Sequence, residues 1–162
     1  MAGGSRRAAR ERALSLLYEA EMKGQRPAEL LGSLAAPPDP FVVEAVSGVG
    51  EHLAEIDGLI GSLSIDWPLD RMPAVDRNVL RMAVWELRWR PDVPVGVAIS
   101  EAVELAKRYS TDESGRFVNG MLAAVAARVR DDPVLPLAPD REAGPERPKR
   151  TEEPLWPRES GC

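Results

Sequence analysis

The sequence predicts an all-α protein, and three observations carry that prediction. Apolar residues recur at three- and four-residue spacing through most of residues 6–130, no stretch alternates with the period of two of a half-buried strand, and proline or glycine interrupts the pattern at short intervals. Six or seven helices result, with connections short enough for a compact antiparallel bundle. At 162 residues the chain has room for one ordinary domain plus tails.

The first helix is marked by Ser5 as N-cap, by Ala13, Leu14, Leu17 and Ala20 on one face, and by Gly24 just past its end. Pro27 starts a short second helix through Leu30, Leu31 and Leu34, closed by PPDP. Asp39 and Pro40 then read as N-cap and N1 of a long helix whose stripe runs from Phe41 and Val42 through Ala45, Val46, Val49, Leu53 and Ile56 to Ile60. Gly48, Gly50, Gly58 and Gly61 lower its helix propensity and call for a bend or close helix crossings. After WPLDRMP, the span Val75 to Arg90 turns Val79, Leu80, Ala83, Val84 and Leu87 to a core, with Met82, Trp85 and Trp89 on the adjacent face. Such a helix is either central in the bundle or offers part of itself to a protein partner. VAISEAVELAKRY forms the next helix, and STDES supplies N-cap candidates for a last one carrying Val118, Met121, Leu122, Val125 and Val129. Gly120, inside that helix, implies another backbone passing close by.

Composition changes near Asp131. Residues 131–162 hold seven of the fifteen prolines without helical or strand periodicity, so the reading divides the chain into a helical domain over 1–130 and a disordered tail over 131–162.

The same text excludes several chemistries. The only cysteine is the last residue and His52 is the only histidine, which leaves no cysteine-based metal site, redox pair or His-carboxylate triad to build. No lysine follows the SGVG glycines at phosphate-loop spacing, and carboxylates such as Glu101 and Glu104 read as helical surface. A non-enzymatic protein with no cofactor and no metal is expected. No apolar run approaches a membrane span, and the arginine-bearing N-terminus lacks the apolar core of a secretory signal, which places the protein in the cytoplasm.

Charge supplies the positive lead. The whole chain carries −5, yet residues 1–12 carry +3, from Arg6, Arg7, Arg10 and Arg12 against Glu11. On a helix Arg6 and Arg10 lie one turn apart with Arg7 beside them, and Tyr18 lies two turns beyond Arg10. Guanidinium groups pair with phosphate and a tyrosine stacks on an unpaired base, a combination suited to single-stranded RNA. A solvated, frayed helix start accounts for the charge equally well. In STDESGRFVNG, a helix N-terminus with Arg116, Phe117 and Asn119 offers a phosphate ligand, a stacking ring and base-edge hydrogen bonds, although Phe117 also fits a core position. Asp76, Arg77, Arg81, Glu86 and Arg88 form a charged rim suited to a protein partner.

RRAARERALSLLYE, AVDRNVLRMAVWEL and DVPVGVAISEAVELAKRYSTDESGRFVNGML, in this order over roughly residues 5 to 126, resemble the NusB transcription antitermination factors. The resemblance implies two packed helical subdomains with an arginine-rich N-terminal helix. It also implies pairing with the ribosomal protein NusE, binding of the pair to the single-stranded boxA element of nascent ribosomal RNA leaders, and loading of an antitermination complex on RNA polymerase. By position it assigns Arg6, Arg7, Arg10, Tyr18, Arg116, Phe117 and Asn119 to the RNA face and Asp76, Arg77 and Glu86 to the NusE interface. Glu113 falls where an acidic residue tunes RNA affinity by repulsion. Some members of the family form homodimers. Two other readings stay open on the residues alone: a detached module like the RNA-binding N-terminal domain of ribosomal RNA cytosine methyltransferases, and a helical protein-interaction module with no RNA role.

Overall fold

The computed structural model describes residues 5–130; residues 1–4 and the expected tail over 131–162 lie outside the described residues. Within them run seven α-helices and one short 3-10 turn and no strand. The helices are α1 (Arg6–Lys23), α2 (Pro27–Ser33), α3 (Pro40–Glu51), α4 (Leu53–Leu63), α5 (Ala74–Trp89), α6 (Val95–Tyr109) and α7 (Asp112–Val129), and the 3-10 turn covers Leu69–Arg71 between α4 and α5.

The helix ends follow from local chemistry. Ser5 Oγ accepts the Ala8 amide at 3.1 Å, Asp39 Oδ1 accepts the Phe41 amide at 2.8 Å, and Thr111 Oγ1 accepts the Ser114 amide at 2.9 Å, each satisfying a donor that helix geometry leaves unpaired. Gly24 ends α1 in the left-handed region at φ 65°, its amide reaching back to Ala20 and Glu21 carbonyls. The C-terminal end of α5 is closed from a distance: the Arg130 guanidinium donates to the carbonyls of Glu86, Leu87, Arg90 and Val93.

The expected long third helix is two helices. The chain breaks at His52 (φ −110°, ψ 18°), whose imidazole stacks on Trp89 with ring centroids 4.0 Å apart. The glycine-rich stretch therefore supplies both a bend and a crossing. At Gly48, an added Cβ would lie 1.9 Å from the Trp85 indole nitrogen, so only glycine lets α3 approach α5 this closely. Gly120, by contrast, is exposed, which does not fit the close backbone approach expected there.

α1, α2 and α3 pack on one another, α6 and α7 pair closely, and α5 lies between the two groups, touching α1, α3, α4, α6 and α7. One continuous apolar core joins them. Met82 and Trp85 are buried in it, Trp85 edge-on to Phe41 at 6.0 Å, which settles α5 as the central helix.

Candidate nucleic-acid interface

The four arginines at the start of α1 do not share one fate. Arg6 is exposed with its guanidinium 4.2 Å over the Phe41 ring, and Arg12 is exposed; neither makes an ion pair among the described residues. Arg7 is 59% exposed, but it forms a two-pronged ion pair with Glu101 of α6, Nε and Nη2 each 3.0 Å from a carboxylate oxygen. Its guanidinium is held still more firmly protonated by that hydrogen bond, and the same bond holds the Glu101 carboxyl below the usual carboxylate range.

Arg10 corrects the expectation of an RNA-facing stripe. Its side chain is 3% exposed and donates from Nε at 2.9 Å to Oε1 of Glu86, itself 1% exposed. A buried carboxylate needs such a partner, because desolvation pushes Glu86 up and the Arg10 hydrogen bond is the foremost influence opposing it, helped by the charges of Arg10, Arg90 and Arg6. Arg10 is thus the bolt between α1 and α5. Tyr18 is also in the core, 6% exposed, and presents no open ring for a base to stack on.

The second segment divides in the same way. Arg116 and Asn119 are exposed on α7, while Phe117 is buried edge-on to Trp67 at 4.6 Å and serves packing. Gly115 is covered by the Lys107 stem, 2.7 Å from where a Cβ would sit.

Of the charged rim expected on α5, Arg88 is exposed, but Asp76, Arg77 and Glu86 are turned inward. Asp76 is fully buried in the first turn of α5, one oxygen accepting the Ser114 hydroxyl at 2.8 Å and the other without a partner. Burial pushes its carboxyl up, against the pull of the Ser114 and Ser110 hydroxyls. Arg77 is committed to the Leu69 and Met72 carbonyls at 2.7 and 2.9 Å and to Glu21 of α1, so it holds the 3-10 turn in place. With Glu86 bound to Arg10, all three residues assigned to a partner interface are engaged inside the fold. Their i,i+4 neighbourhood reads as amphipathic rim in one dimension, and only the packing of α1 and α7 onto α5 reveals otherwise.

What joins the two exposed segments is α6. Arg7 pairs with Glu101 and Glu11 with Arg108, so α1 and α6 run in the same sense along one seam. A cleft of about 270 Å³ opens on that seam, lined among others by Arg7, Glu101, Lys107 and Arg108. Lys107 in turn rests over Gly115, next to Arg116. Lys107 and Arg108 do not stand out in the sequence as site residues, since basic residues in a last helical turn have an ordinary explanation in the helix dipole. Their position just before STDES was the available signal.

Fold and surface together define a class: an all-helical, two-group bundle with a charged seam running from its N-terminal helix across α6 to the start of its last helix. The NusB family model matches residues 7–127. "Transcription antitermination protein NusB" of Kineococcus radiotolerans is 50% identical over 126 residues, covering 75% of this chain and 93% of that protein. The Thermobifida fusca protein of the same name is 50% identical over 124 residues, covering 74% and 87%. Among solved structures, T. maritima NusB superposes with a TM-score of 0.69 at 36% identity over 76% of this chain and 92% of that one. A crystal structure of the antitermination factors NusB and NusE in complex with dsRNA gives 0.66 at 29% identity over 76% and 96%. The chain belongs to the NusB family.

Proposed function

We propose that this protein is a transcription antitermination factor that, with NusE, binds boxA-type single-stranded RNA in nascent ribosomal RNA leaders and helps load the antitermination complex on RNA polymerase. The observation that carries this reading is identity of 50% to proteins of that name across most of their length. The solved NusB–NusE–RNA complex of the same fold supports RNA and NusE as the partners.

The RNA contacts assigned here are Arg6, Arg7, Arg116 and Asn119, with Lys107 added between them. All are exposed, and guanidinium and ammonium groups bind phosphate while an exposed carboxamide reads a base edge. Residues 1–130 carry this activity, acting without catalysis in the cytoplasm; no described helix is long and apolar enough to cross a membrane.

The test is a titration of labelled boxA RNA, a scrambled strand and a duplex control, each with and without NusE. Binding selective for the single strand and strengthened by NusE is expected. Indifference to RNA sequence and to NusE would reduce the protein to a helical interaction module.

A further inference from the structure

The cleft between α1 and α6 is lined by three cations, Arg7, Lys107 and Arg108, and by three carboxylates, Glu11, Glu101 and Glu104. It is neutral as it stands. Glu101 presents to Arg7 what a phosphate would present: two oxygens, each 3.0 Å from a guanidinium nitrogen, in the fork geometry that suits either anion. Glu101 is 17% exposed, so it is the more enclosed member of the pair and stands as a competitor for Arg7. Arg7, at 59% exposed, is the open member of the pair. Glu101 stays ionised at working pH because Arg7 holds its carboxyl low.

We infer that Glu101 is a built-in phosphate mimic that occupies Arg7 and must be displaced before Arg7 engages RNA, so that it sets the affinity and the salt response of the RNA surface. The inference rests on the RNA reading above. Each binding event then exchanges one anion for another at Arg7 and bares a carboxylate beside the incoming backbone. The exchange lowers affinity for any polyanion whose contacts are electrostatic alone, and leaves the contribution of base-reading contacts such as Asn119 untouched.

The experiment is a two-by-two set, wild type, Glu101→Gln, Arg7→Ala and the double variant, with Glu55→Gln as control because Glu55 pairs with Arg88 at 3.6 Å on α4 and α5. Binding of labelled boxA-type single-stranded RNA and of a scrambled strand is read by fluorescence anisotropy at about 50 and 200 mM salt, where electrostatic contacts separate most clearly. An exposed ion pair of this kind predicts a gain of about two- to fivefold in Glu101→Gln. The fold gain is the same for the scrambled strand, smaller at the higher salt, absent in Glu55→Gln and lost in the Arg7→Ala background. Tight wild-type binding with no gain in Glu101→Gln, or an equal gain with and without Arg7, overturns the inference and leaves the RNA function standing. Absence of RNA binding by wild type and Glu101→Gln alike sinks both.

Discussion

Replacing Arg10 with methionine separates a structural arginine from an RNA-binding one. The methionine fills much of the same volume but leaves Glu86, 1% exposed, without its ion-pair partner, only Arg90 and Arg6 acting on it from farther off. Removing one partner of a buried ion pair costs about 3–5 kcal/mol, because the remaining charge is neither solvated nor paired. For a domain of this size that corresponds to a fall in Tm on the order of 10 °C. The sign of the pH dependence follows from Glu86. Burial already raises its folded-state affinity for a proton, and without Arg10 that rise is larger. The native state then binds more protons than the unfolded one above the ordinary glutamate range, so stability falls as pH rises through that window and recovers as pH falls. Urea denaturation followed by circular dichroism at about pH 5 and pH 8 reads both effects, the loss being the larger at pH 8. Glu86→Gln in the same chain removes the stranded charge and is expected to restore all but about 1 kcal/mol. RNA affinity should return with it, since neither side chain reaches the surface. A loss below about 1 kcal/mol in Arg10→Met, equal losses at both pH values, or a double variant that is stable yet still deficient in RNA binding would refute the reasoning, the last by showing that Arg10 touches RNA.

Three further outcomes are expected. Asp76→Asn removes a buried carboxylate whose folded pKa is raised; its unfavourable contribution grows as pH rises above the ordinary aspartate range, so the variant gains stability over wild type at pH 8 and the gain vanishes in acid, as paired urea curves will show. Gly48→Ala drives a methyl into the Trp85 ring and should cost about 1–3 kcal/mol with a changed tryptophan emission spectrum. Arg6→Ala and Arg116→Ala each weaken RNA binding in anisotropy titrations and flatten its salt slope by about 0.7, with helicity unchanged.

The elements were legible because their signals are local. Ser5, Gly24, Asp39 with Pro40, and Thr111 mark helix ends through contacts within four residues, and the apolar stripes of α5 and α7 follow from their 3.6-residue period. The division of α3 from α4 at His52 was less so, since the stripe from Phe41 to Ile60 continues across the break and the ring that His52 stacks on there, Trp89, belongs to a different helix. The candidate site was legible in residue types and not in exposure. Arg6 and Arg10 are equivalent on a helical wheel, yet one lies over Phe41 at the surface and the other is sealed against Glu86, 76 positions away. No count of charge along the chain contains that pairing.

That pairing changes what the N-terminal patch is able to do. Of its four arginines, Arg10 is consumed by α5 and Arg7 is held by α6, which leaves Arg6 and Arg12 without a carboxylate partner among the described residues. On the proposed RNA surface, adding Lys107 and Arg116 and releasing Arg7 from Glu101 would bring the phosphate contacts to about four, Arg12 projecting to another side of α1, and the salt slope for a single strand to about −3. A surface of that strength holds RNA weakly on its own. A partner that touches the same strand converts two weak contacts into one strong one through effective concentration, so occupancy becomes conditional on the partner's presence. Neutralising half of the arginines from within the fold is therefore consistent with an RNA-binding role, because each further free arginine would add affinity that does not depend on sequence and so raise binding to unintended RNA.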